Sequence, residues 1–208
     1  MSRAIVISHS FLERDPRVSR AVEALVDAGW QVDGLFLDEP KRTDRLRTWQ
    51  VPIGRQRGSA LRYVLEYGAF FLWSFFWIGH RSFWHTPDVI YINSPPDFLA
   101  FAGALGKLRG IPVILDVHDP MPELFVAKGK ESGLVTRALG AQEKWSAKFA
   151  DRVVTVHEPL RDLLQTRSPE VDMDIVMNVP DTSTWPDITP NPDSRTIVYT
   201  GSIAVRYG

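Results

Sequence analysis

Short, continuous apolar runs alternate along this chain with longer segments whose apolar residues recur at helical spacing, and this alternation limits the possible folds most severely. The first run is Ala4 to Ser8. A strand apolar at every residue, and not at every second one, is expected where helices cover both faces of a sheet. A helix is expected next. Asp15 can cap it, Pro16 suits its first position, and Val18, Ala21, Val22, Leu25 and Val26 share one side before Gly29 ends it. A second strand at Gln31 to Leu37 completes a βαβ unit with a right-handed crossover. Further strands are predicted at Asp88 to Ile92, Pro112 to Val117, Arg152 to Val156 and Asp174 to Asn178. Helices are predicted at Pro96 to Leu108, closed near Gly110, at Leu134 to Phe149 and at Glu158 to Gln165. The pattern predicts an α/β fold with a doubly wound, mainly parallel sheet whose ligands lie beyond the carboxyl ends of the strands.

Composition narrows the function. The 208 residues are 44% hydrophobic, enough for a full core, and their formal net charge of −1 leaves no whole-chain footprint for nucleic acid. The chain has no cysteine, which excludes disulfides, thiolate metal sites and a cysteine nucleophile and fits a reducing compartment. The apolar run at the amino terminus is too short for a secretory signal and reads as a strand. From Pro180 to Arg195 the composition shifts to four prolines with Asp, Ser and Thr, an extended linker. Thr196 to Thr200 then reads as a strand. The expectation is one domain over residues 1–179, a linker over 180–195, and over 196–208 the first strand of a second domain that is missing.

Five segments together resemble the family 4 (GT-B) glycosyltransferases. They are Asp15-Pro16-Arg17-Val18; Val113 to Pro120 with Pro122-Glu123-Leu124; Ala150 to Val156; Met177 to Asp181; and Val198 to Ser202 with Arg206-Tyr207-Gly208. The resemblance spans nearly the whole chain but only the amino-terminal half of such an enzyme. It implies a Rossmann-like acceptor-side domain and retaining transfer from a nucleotide-sugar donor to an acceptor held mainly by that domain, with no other cofactor; the acceptor is read as a glycolipid or polysaccharide precursor. Most donor contacts, including a pair of glutamates seven residues apart, would lie beyond Gly208, so the chain alone is expected to be inactive. Two rivals are a noncatalytic Rossmann-like binding domain and a sugar-nucleotide epimerase of the same architecture.

His118, at the carboxyl end of an apolar strand, is the predicted catalytic residue, since a neutral imidazole there can bond a sugar hydroxyl. The resemblance implies a histidine beside the donor sugar at this position. Asp116 shares its strand face and can orient the ring, and Asp119 either caps the following turn or binds acceptor. Acceptor contacts are further expected from His9, Ser10, Arg17, Asn93, Ser94 and Glu123. Arg17 has the competing reading of a surface ion pair with Asp27 or Glu13, and Asn93 and Ser94 that of a helix cap. No glycine-rich turn follows the first strand, which weakens phosphate binding there and excludes a nicotinamide fingerprint. The resemblance places Asn178 at the interdomain hinge and Gly201, Ser202 and Arg206 on the donor side. His80, His85 and His157 lack metal-like spacing, and no metal site is expected.

Ten of the 23 aromatic residues lie between Tyr63 and Trp84. Projected as a helix over Ala60 to Trp84, Leu61, Val64, Leu65, Gly68, Leu72, Phe75 and Phe76 form one apolar face, assigned to the core. The opposite face carries Tyr63, Phe70, Trp73 and Trp77, with Glu66 and Ser74. The apolar run from Ala69 to Ile78 is well short of the roughly 20 residues needed to span a bilayer. Basic residues precede it, among them Arg55, Arg57 and Arg62. Tyr63, Phe70, Trp73 and Trp77 with these arginines are the expected contacts to an anionic membrane surface, which places the protein in the cytoplasm or on the inner face of the membrane.

Overall fold

A computed structural model describes residues 1–53, 60–127 and 133–179, with Arg195. The chain divides into two compact units, Met1–Asn178 and Val179–Gly208. The first holds every described element. Apart from Arg195, the expected linker and following strand, together with Arg55, Arg57, Gly201, Ser202 and Arg206, lie outside the described residues.

Among the described residues seven strands form one sheet, parallel throughout: β1 (Arg3–Ser8), β2 (Gln31–Phe36), β3 (Leu46–Gln50), β4 (Val89–Asn93), β5 (Val113–Val117), β6 (Arg152–Thr155) and β7 (Met173–Ile175). Their order is β3-β2-β1-β4-β5-β6-β7, and the winding direction reverses between β1 and β4. Among the described residues six α-helices cover the sheet: α1 (Pro16–Asp27), α2 (Ala60–Trp84), α3 (Ala104–Lys107), α4 (Met121–Ala127), α5 (Gly133–Phe149) and α6 (Glu158–Arg167). This is the Rossmann-like doubly wound fold. The apolar strands are buried on both faces: Val6, Val32 and Phe36 pack with Val18 and Val22 of α1, whereas Ile5, Ile7, Leu35, Ile90 and Leu115 share a core with Phe70 and Ile78 of α2.

Local signals place α1 as expected. The Asp15 carboxylate accepts from the backbone N–H of Arg17 and Val18, each at 3.3 Å, satisfying donors the first turn leaves orphaned. Pro16 opens the helix, and Gly29, at φ +86°, turns the chain out of it in the left-handed region.

Four elements depart from the sequence reading. β3 was not expected, because Leu46-Arg47-Thr48-Trp49-Gln50 lies at the sheet edge, where continuous apolar character is not required. The helix predicted over Pro96 to Leu108 is a 3-10 segment at Asp97–Gly103 followed by one α-helical turn, α3. Gly103 and Gly106 there lie flush on the sheet; a β-carbon would come within 2.8 Å of Val113 Cγ2 and 2.3 Å of Ile90 Cδ1 respectively. β7 is a residue earlier and shorter than Asp174 to Asn178; beyond it the Val176 carbonyl accepts from Arg17 Nη1 at 2.6 Å.

The fourth departure inverts α2. Val64, Leu65, Leu72 and Phe76, assigned to the core, are exposed, and Phe70, expected at a membrane, is fully buried. Trp77 is half-buried against Trp49, while Tyr63, Trp73 and Arg62 do face solvent. The cause is that the sheet face beneath α2 carries polar partners. Asp33 of β2 lies 3.4 Å from Arg81, whose guanidinium stacks 4.0 Å from the Trp49 ring, and Glu66 reaches His9 after β1. Buried charges must be paired, so these contacts fix the inward side of a helix that is apolar nearly all round. Phe70→Ala should cost about 3–5 kcal/mol in denaturant unfolding and Leu72→Ala under about 1 kcal/mol; the reverse order is what the original face assignment requires.

Candidate functional site

Strand register builds the site. Ser8 pairs with Asn93 and Asn93 with Asp116, so β1, β4 and β5 end level and the residues after them emerge on one rim. There, where the winding reverses, a crevice of about 700 Å³ is lined by Ser8, His9, Ser10, Ser94, His118 and Asp119, with Tyr67 of α2 and Arg14 and Asp15 ahead of α1. A doubly wound sheet leaves its ligand crevice at this point, because successive crossovers depart to opposite sides.

The floor is a buried polar network. Asp116, fully buried, accepts from Arg17 Nε at 2.8 Å and Nη2 at 2.5 Å, and from the Tyr91 hydroxyl at 2.7 Å. His118 Nε2 lies 3.4 Å from Asp116 Oδ2. Burial raises the Asp116 carboxyl, but the His118, Arg17 and Tyr91 side chains outweigh it and hold it below its ordinary value. Burial and the adjacent carboxylate push the Tyr91 phenol upward, so it stays a neutral donor.

Two further pairs frame the crevice. His9 Nε2 lies 3.1 Å from Glu66 Oε1, both side chains buried, with the Tyr67 and Phe70 rings packed T-shaped against the imidazole, centroids 4.8 Å and 4.9 Å away. Asp97, behind Ser94, is pushed up to about 7: burial dominates, the Ser94 hydroxyl opposes it, and the Glu143 and Asp119 carboxylates add to the rise. At neutral pH much of it remains protonated.

The structure thus brings His9, Ser10, Ser94, His118 and Asp119 together around one crevice. Asn93 sits beneath, fully buried, donating from Nδ2 to the Ile7 carbonyl at 3.1 Å, which ties β4 to β1. Arg17 is no surface ion pair: Glu13 pairs instead with Lys41, and the Arg17 guanidinium is committed to Asp116 and Val176. Glu123 is placed apart, bonded to Arg167 beside a separate concavity of about 510 Å³ among α4, α5 and α6. Asn178 accepts from Arg20. His157, given no ligand role, caps α6 by accepting from the Leu160 N–H at 3.1 Å. Sequence reasoning missed Tyr67 and Asp97 at the site and the tie of Glu66 to His9. Glu66 did carry a signal: it is the one carboxylate in a mostly apolar helix.

This geometry belongs to a domain class that comparison with known proteins identifies. A family profile described as "Glycosyl transferase 4-like domain" matches residues 15–178, and the chain belongs to that family. No curated protein sequence matches it. Among solved structures, the chain is similar to sucrose-phosphate synthase from Thermosynechococcus elongatus at 18% identity and a TM-score of 0.58, over 85% of this chain and 48% of that one. It is also similar to UGT2 of Phytolacca americana, solved with UDP-2fluoro-glucose and pterostilbene, at 11% identity and a TM-score of 0.58, over 85% of this chain and 54% of that one. The chain spans about half the length of these structures, and the likeness is one of fold.

Removing one partner of the buried pair leaves the other charge stranded, so Arg17→Met should cost about 3–5 kcal/mol, and adding Asp116→Leu should restore part of it; chemical unfolding of both variants measures this. Asp116, lowered on folding, contributes stability that is present above 3.8 and lost as pH falls toward its lower folded value. Asp97 works in the opposite sense. Between 3.8 and about 7 the unfolded chain releases this proton while the folded chain keeps it, so stability declines as pH rises through that window. Asp97→Asn should flatten the decline in unfolding curves taken at successive pH values.

Proposed function

We propose that this chain is the acceptor-side domain of a glycosyltransferase that moves a hexosyl unit, with retention of configuration, from a nucleotide-sugar donor to a glycolipid or polysaccharide-precursor acceptor. The observation that carries this reading is the crevice where β1, β4 and β5 end, with His118 and His9 on its wall, inside a glycosyl transferase 4-like domain.

The chemistry divides between the chain and a donor-binding half. His118, steadied by Asp116 and partly open to the crevice, offers an imidazole to a sugar hydroxyl. Ser10, Ser94 and Asp119 supply hydroxyl and carboxylate partners for an acceptor. Holding both reactants against this rim converts an encounter in solution into a positioned reaction, the chief gain a domain of this shape can provide. Stabilisation of the departing nucleotide diphosphate falls to the second domain, with Asn178 at the hinge and Gly201, Ser202 and Arg206 at that domain's opening. No further cofactor or metal is required by this division. The chain without that half is therefore expected to bind acceptor and not to turn over, and the intact protein to work at the inner face of the membrane. Among the described residues no helix is long and apolar enough to cross a membrane.

The test is a donor and acceptor screen on the intact protein, repeated with His118→Ala. Turnover should fall at least about a hundredfold while the thermal midpoint stays close to that of the parent. Normal turnover in the variant removes His118 from the reaction.

A further inference from the structure

We propose that the outward face of α2 is a docking surface for an anionic lipid bilayer. This deepens the reading above by naming a partner of the same domain, and it rests on that reading only for the idea that the acceptor is lipid-linked.

The argument starts from the inversion of the helix. An ordinary surface helix buries its apolar stripe and exposes its polar one. α2 departs from this: Glu66, Ser74, Arg81 and Ser82 are buried beside Phe70 and Ile78, whereas Leu65, Leu72 and Phe76 are 63%, 55% and 66% exposed. Trp73, Phe83 and Trp84 extend the same face along the helix and are exposed as well. At about 1.5 Å per residue, these positions make an apolar strip several turns long. Scattered exposed apolar residues need no explanation, but a contiguous strip on one helix marks a contact surface.

Charge selects the occupant. The only carboxylate between Ala60 and Trp84 is Glu66, and it is turned inward onto His9. Among the described residues, cations flank the outward face: Arg62, exposed in the first turns, and Arg109, whose guanidinium lies 4.5 Å from the Phe83 ring centroid. A second copy pairing through this face would bring cations together while α2 turns its one carboxylate, Glu66, inward. A phosphate-bearing bilayer surface meets both demands, taking the aliphatic and aromatic side chains into the acyl boundary and the guanidinium groups at the headgroups. Trp73 and Trp84 are suited to that boundary, where an amphipathic ring has one side in each medium.

Placement ties the surface to the site. Tyr67 lines the crevice from the same helix that carries Leu65 and Leu72 outward, so a bilayer on this face lies beside the crevice mouth. A lipid-linked acceptor would then reach the rim without leaving the membrane.

Co-sedimentation of the full chain with vesicles tests the proposal and needs neither donor nor acceptor, so it stands or falls apart from transferase activity. Vesicles of phosphatidylglycerol and phosphatidylcholine should bind the chain, phosphatidylcholine alone far less, and salt should weaken the binding. The double variant Leu72→Gln with Phe76→Gln should bind about tenfold less or worse. Leu134→Gln, at an exposed apolar position away from α2, should bind as the parent does. Unchanged circular dichroism checks that the variants fold. Binding that ignores the α2 substitutions, or an absence of binding to phosphatidylglycerol vesicles, overturns the proposal. So does a dimer in sedimentation velocity that the double variant dissolves, which assigns the face to a second copy.

Discussion

The pairing of Arg17 with Asp116 is the contact on which the site depends. It joins the first turn of α1 to the end of β5, and through Nη1 it also holds the Val176 carbonyl beyond β7. A cation at a helix N-terminus opposes the helix dipole, and a carboxylate buried in a sheet pays a large desolvation cost. Each charge is tolerable because the other is present, and Tyr91 supplies a further donor to the carboxylate. The result is a rigid base under His118, since Asp116 is held from three directions and leaves the imidazole one neighbour to lean on.

The same principle governs α2 on the opposite face of the sheet. Asp33 and His9 present polar groups where a Rossmann-like sheet ordinarily presents aliphatic ones, and Arg81 and Glu66 turn inward to meet them. Once those pairs form, the helix has no freedom to rotate its larger apolar side toward the core. The wall of the crevice and the exposed apolar strip are therefore two consequences of one packing choice. The domain carries one wall of its crevice and its exposed apolar flank on a single helix.

Much of the architecture was legible because it rests on local rules. Asp15 with Pro16 marks the start of α1 and Gly29 its end, and runs such as Ile5-Val6-Ile7 can only be strands covered on both sides. His118 and Asp119 were legible for a similar reason, lying just past an apolar run in a fold whose strand ends form the ligand rim. Three kinds of feature escaped. β3 is polar enough to pass for a loop because an edge strand need not be apolar. The facing of α2 was misread because hydrophobic periodicity has little power in a helix apolar on nearly every side. The partners of Arg17 and Glu66 were invisible because they lie 99 and 57 residues away in the chain.

The sequence by itself determined the class of fold, the end of the strands at which a ligand crevice lies and the residue types available at the rim. Those properties follow from periodicity, caps and turns, which act over a few residues. Only the tertiary structure decided which buried charges meet, which way α2 faces, and that Glu123 stands apart from the crevice while Glu66 and Asp97 stand beside it. Such outcomes depend on desolvation, and whether a charge is stranded or satisfied is settled only when distant segments pack.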